Sequence, residues 1–160
     1  MRIYSVLDIA RYVINYCNDN NFHISNLKLQ KILYFIQAGF YLNTGHECFR
    51  EDIEAWKYGP VIPEVYHEFK QYGSTNIPYI DEYLDFSGGI FNCKNVKYKD
   101  DIIDDGDKMI INQLIEQCNK YTASQLVDIT HKQTPWVESY VGGINNVIDK
   151  STLQKYFKGK

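Results

Sequence analysis

The residues of this chain best suited to metal binding or nucleophilic chemistry are four histidines, His23, His46, His67 and His131, and four cysteines, Cys17, Cys48, Cys93 and Cys118. Their spacing argues against both uses. A metal held on one helix face needs an HxxxH or HExxH arrangement, and a structural zinc needs paired CxxC ligands; neither pattern occurs. No GxSxG elbow, P-loop or dinucleotide glycine fingerprint is present either, so the usual devices for acyl and phosphate chemistry are missing. A cysteine paired with His67 or His131 stays open as an alternative, because such partners meet in space and not in sequence. Glu64, Glu68 and Asp128 could supply paired carboxylates, but they fall at ordinary exposed helix spacing. No catalytic residue, metal ligand or cofactor is assigned, and the chain is expected not to be an enzyme.

Two short runs are better suited to binding than to catalysis. The first is Trp56-Lys57-Tyr58-Gly59-Pro60-Val61; the second is Thr130-His131-Lys132-Gln133-Thr134-Pro135-Trp136. Each sets a large ring beside a turn, and rigid turns carrying Trp, Tyr and a cation lose little side-chain entropy on docking. The competing account is that both Trp rings fill the core while the prolines fix helix starts. The two turns are expected to lie close together and to form or support one contact patch.

Charge and composition narrow the partner. A formal charge of -3 and a pI near 5.8 provide no cationic field for phosphates, which disfavours nucleic acid. Lys28 and Lys31 on a second helix could imitate a helix-turn-helix, but that helix is apolar around most of its circumference and leaves no polar face for base edges. The scattered cysteines read as buried reduced thiols, and no window is long and apolar enough to span a bilayer, so a cytoplasmic protein is expected. A homo-oligomer is left open.

The elements that must position the two turns follow from hydrophobic period and caps. Ser5 with Asp8 resembles a capping box, and Val6, Ile9, Ala10, Val13 and Cys17 make one helical face to about Asn20. Ser25 or Asn26 can cap a second helix to about Asn43, ended by Gly45. Leu29, Ile32, Leu33, Ile36 and Phe40, with Leu27, Tyr34, Phe35 and Tyr41 around them, make it a central, buried helix. Residues 53–58 read as extended before Gly59-Pro60, and Pro63 opens a short helix bearing Val65 and Phe69 that Gly73 ends. Residues 74–105 read as a loop with one hairpin at most, Ile90-Phe91 and Val96–Tyr98 being strand-like. Helical period returns at Ile110–Cys118. A Thr122/Gln125 capping box then opens a helix to His131, Thr134-Pro135 opens another, and Ser151 with Gln154 caps the last. The expectation is a mainly α fold over residues 1–160 as one domain: a compact bundle of about six to seven helices, with at most a small β-hairpin or short strands in the middle.

The same residues carry a family resemblance. The run Leu27-Lys28-Leu29-Gln30-Lys31-Ile32-Leu33-Tyr34-Phe35, the run from Glu54 through Trp56, Gly59 and Pro60 to Tyr66, and the stretch from Leu126 to Trp136 resemble the Panacea-domain family, also called SocA-like or GepA-like phage-associated proteins. The similarity extends from about Asp8 to Trp136. What the resemblance implies is an antitoxin that neutralises a cognate protein toxin, encoded nearby, by direct contact. A phage or plasmid regulator that binds DNA, or an adaptor delivering a toxin to a protease, are the alternatives. The residues expected to form or support the toxin-binding patch are Trp56, Lys57, Tyr58, Gly59, Pro60, Tyr66, His131 and Trp136.

Overall fold

Seven α-helices, one of them long and central, make up most of the computed structural model, which describes residues 2–159. The order is α1 (Val6–Asp19), α2 (Asn26–Thr44), β1 (Glu54–Trp56), β2 (Gly59–Val61), α3 (Pro63–Phe69), β3 (Glu82–Asp85), β4 (Lys94–Lys97), α4 (Asp105–Asn119), α5 (Ala123–Thr130), α6 (Thr134–Ser139), β5 (Asn146–Val147) and α7 (Lys150–Lys158). The fold is mainly α, as its hydrophobic period predicts. Among the described residues no helix is long and apolar enough to cross a membrane.

Helix α2 is the axis because it is apolar on nearly every side, and so needs neighbours on nearly every side. Helices α1, α3, α4, α5 and α7 and strand β2 all pack on it. Ser25 caps it by accepting from the Lys28 N–H, and Gly45 closes it at φ 79°. The core is one hydrophobic cluster with Leu29, Ile32, Leu33, Tyr34, Ile36 and Phe40 at its centre.

Two antiparallel hairpins interrupt the helices. Strand β1 pairs with β2 in the register Trp56↔Gly59, leaving Lys57 and Tyr58 as the turn, and β5 adds to the other edge of β1. Strand β3 pairs with β4, from Glu82↔Lys97 to Asp85↔Lys94, as a separate two-stranded unit.

Several local expectations are corrected. Ser5 makes no side-chain cap; the Val6 N–H instead donates to Glu51 Oε2 at 3.3 Å, so a carboxylate from a distant loop does the hydroxyl's work. Helix α6 begins at Thr134, which puts Pro135 in the second position and leaves the cap to Gln133 without a side-chain bond. Helix α7 is capped by Asp149, whose carboxylate accepts from the Thr152 N–H and outcompetes Ser151 at the positive helix end. Ile90 and Phe91 lie in a 3-10 turn at the tip of the second hairpin rather than in a strand. The thiols divide: Cys17, Cys48 and Cys118 are buried, and Cys93 is exposed.

Candidate protein-binding site

The first hairpin is short, and four side chains from α2, the turn after α5 and α6 fix it. Lys31 is fully buried, and its Nζ donates to the Pro60 carbonyl at 3.0 Å. Burial pulls its pKa down to about 7, because no carboxylate accompanies the amine inside. Gly59 lies directly above it at φ 104°, and a Cβ there would come within 2.6 Å of Lys31 Cε and 2.9 Å of Thr130 Oγ1. Only glycine fits both the dihedral and the space. One residue earlier on α2, Gln30 Oε1 accepts from the Ile62 N–H at 2.9 Å while its Nε2 donates to Asn26 Oδ1. The buried polar groups of an otherwise apolar helix thus serve as pegs for the strand that crosses it.

The turn between α5 and α6 clamps the hairpin from the other side. His131 Nε2 lies 3.0 Å from the Lys57 carbonyl, a contact that requires the proton on Nε2. The Trp136 indole N–H donates to the Trp56 carbonyl at 2.8 Å. His131, Trp136 and Tyr140 form a stack, with ring centroids 4.1 and 4.5 Å apart. Tyr34 of α2 donates to Gln133 Oε1 at 2.8 Å, tying this turn to the axis as well.

The eight residues singled out from the sequence therefore gather in one place with different duties. Gly59 and Pro60 are buried and act as support. Lys57 and Tyr58 project into solvent, with Tyr58 58% exposed and the Lys57 ammonium 5.5 Å from the Tyr58 ring centre. Trp56 and Trp136 are both half-buried, so neither is a core plug nor an open contact. Trp56 gives its indole N–H to Glu54 at 2.8 Å and packs edge-on against Tyr66 at 5.0 Å. What sequence reasoning missed is the buried tier of Lys31, Gln30 and Thr130, with half-buried Gln133 beside it. The signal was there: Gln and Lys placed within a helix that is apolar all round.

The competing chemistries do not gain from the geometry. Burial pushes the thiols of Cys17 and Cys118 up to about 12 and that of Cys48 well above its ordinary value, the reverse of what a nucleophile needs. Lys31, one of the two lysines of the helix-turn-helix alternative, is enclosed and unavailable to a phosphate. Lys28 is nearly so, at 8% exposure. Glu68 is turned toward Arg11, 3.7 Å away, and does not pair with another acid.

Residues 29–137 match the family model described as "Antitoxin SocA-like, Panacea domain", about two thirds of the chain and every residue of the patch. The chain belongs to this family. The match leaves α1 and α7 outside it, although the sequence resemblance was expected to begin within α1. Among curated proteins, Antitoxin SocA of Caulobacter vibrioides (strain NA1000 / CB15N) is 32% identical over 114 residues, covering 71% of this chain. The chain spans 58% of the length of that relative. No solved structure matches significantly. Within the Panacea-domain boundaries, both clamped turns and the pegs beneath them are contained whole.

Proposed function

We propose that this Panacea-domain protein is a cytoplasmic antitoxin that neutralises a toxin encoded beside it by direct contact, and that the Lys57-Tyr58 turn with His131 forms the centre of the contact. The observation that carries this is the clamp itself. An exposed lysine and tyrosine are held on a hairpin whose backbone carbonyls are gripped by His131 and Trp136. Such a surface is ordered before the partner arrives, so binding loses little further conformational entropy. Family membership and the likeness to an antitoxin supply the class of partner.

Co-expression with the neighbouring toxin should restore growth, with the toxin remaining at full abundance if occlusion and not proteolysis is the mechanism. Lys57→Ala and His131→Ala, checked for unchanged thermal unfolding, should each weaken toxin affinity by about tenfold, the scale of a modest hot-spot truncation. Full affinity in both variants would remove this patch from the interface.

A further inference from the structure

Beside the clamped turn lies a cleft of about 360 Å³ lined by the β1–β2 hairpin, the start of α2, and α3 with the segment after it. Leu27, Trp56, Tyr58 and Tyr66 give it apolar and aromatic walls, and Lys57 and Lys70 stand on its rim. The volume is at the small end for a ligand pocket and suits one large side chain with the backbone on either side of it.

The chemistry of the lining defines the occupant. The polar groups on the floor are already spent: Gln30 is bonded to Asn26 and the Ile62 N–H, and Asn26 donates to the Tyr66 carbonyl at 3.1 Å. The Trp56 indole N–H is spent on Glu54. A polar side chain reaching this floor would lose its water and meet groups already bonded to others, whereas an apolar one would lose nothing. The rim has the opposite character. Both lysines are exposed, and neither is in an ion pair among the described residues. No acid among the described residues lines the cleft. A cationic rim around an apolar, aromatic floor complements a hydrophobic residue flanked by carboxylates.

We infer that the cleft is a binding site for an acidic segment of a protein partner, which lays one aliphatic or aromatic side chain against Leu27 and the packed Trp56–Tyr66 pair and sets carboxylates against Lys57 and Lys70. The assignment of that segment to the toxin rests on the proposed function. The cleft's ligand chemistry does not.

The two can be tested apart. The full chain holds two Trp residues, so its ¹⁵N-labelled spectrum carries two indole N–H signals, one inside the cleft and one in the clamp. Three blocked tripeptides are titrated to millimolar concentration: acetyl-Glu-Leu-Glu-amide, acetyl-Lys-Leu-Lys-amide and acetyl-Glu-Ser-Glu-amide. The first should move the Trp56 indole signal saturably and the Trp136 signal little, and the other two should bind at least tenfold more weakly. Lys70→Glu, an exposed change, should abolish the response to the first peptide. No saturable shift, or equal shifts with all three, overturns the proposal. The growth assay then reads the partner. If the wild-type chain rescues growth and Lys70→Glu rescues equally well, the segment does not belong to the toxin and that assignment falls. If the wild-type chain fails to rescue, the antitoxin reading falls, while the peptides still decide the cleft.

Discussion

The two hairpins of this protein are built on opposite plans. Strands β1 and β2 have three residues each, too few to stand alone, yet the unit is pinned by Lys31 and Gln30 of α2, His131 of the α5–α6 turn and Trp136 of α6. Strands β3 and β4 are longer and pair mainly with each other. That hairpin is attached to the body at its base, where Asn15 exchanges two hydrogen bonds with Ile80, Tyr98 Oη donates to the Asp8 carbonyl, and the Arg11 guanidinium stacks over the Tyr83 ring at 3.4 Å. Its tip is free, with Ile90 75% and Phe91 97% exposed. Rigidity here comes from polar pegs crossing between elements and not from ladder length. The hairpin that carries the proposed contact is the one whose backbone is held from outside.

Glycine substitutions break this contrast most sharply, because Gly59 and Gly89 share a positive φ, 104° and 94°, but not their surroundings. Nothing lies within 4 Å of a Cβ built on Gly89, whereas on Gly59 it would drive into Lys31 and Thr130. Gly59→Ala should cost about 3 kcal/mol, combining backbone strain with overpacking, and lower the melting temperature by roughly 6–12 °C. Gly89→Ala should cost about 1 kcal/mol, from the dihedral alone. Equal melting temperatures for the two variants would mean that the lock under the first hairpin carries no special stability.

Much of this plan was legible in the residues. The all-round apolar character of α2 marks it as the axis, the Thr122/Gln125 capping box forms as its spacing requires, and Gly59-Pro60 marks the break between extended segments. The adjacency of the two Trp-bearing turns is a supposition at the level of sequence, since the contacts that make it span 74 and 80 residues. What the local pattern could not supply is partnership at long range. Whether Lys31 points to water or to Pro60, 29 residues away, depends on a strand whose path no neighbouring residue records. Ile90 and Phe91 mislead for a related reason: β-branched and aromatic residues read as strand on the assumption that they are half-buried, and at this tip nothing buries them.

The buried amine offers a pH test of the lock. In the unfolded chain Lys31 holds its proton up to its ordinary value of 10.5, whereas in the folded chain it releases it near 7. Between those values the unfolded form binds a proton that the folded form lacks, so stability from this group rises with pH, and below about 7 it stays at its lower plateau. The clean window ends near pH 8.5, where thiols of the unfolded chain begin to ionise and pull the other way. Across it the wild type should gain about 1–2 kcal/mol relative to Lys31→Met, which keeps the packing but has no proton to lose. Denaturant midpoints at the two pH values measure this; a difference that does not change with pH would mean that the amine is not buried in neutral form.

The smallest effect is expected at the free tip. Phe91 has almost no packing to lose, so Phe91→Ser should shift stability by less than about 0.5 kcal/mol, within the range of ordinary surface changes. Amides of β3 and β4 should also exchange hydrogen ahead of those in β1 and β2, since local opening at the tip breaks only the hairpin's own ladder, whereas opening the first hairpin must also release Lys31, Gln30, His131 and Trp136. A destabilisation of several kcal/mol at Phe91, or slower exchange in β3 than in β1, would show that the second hairpin is held by contacts along its length. The division between a clamped and a free hairpin would then give way to a single rigid body. In that case order before binding would no longer single out the Lys57-Tyr58 turn as the surface offered to a partner.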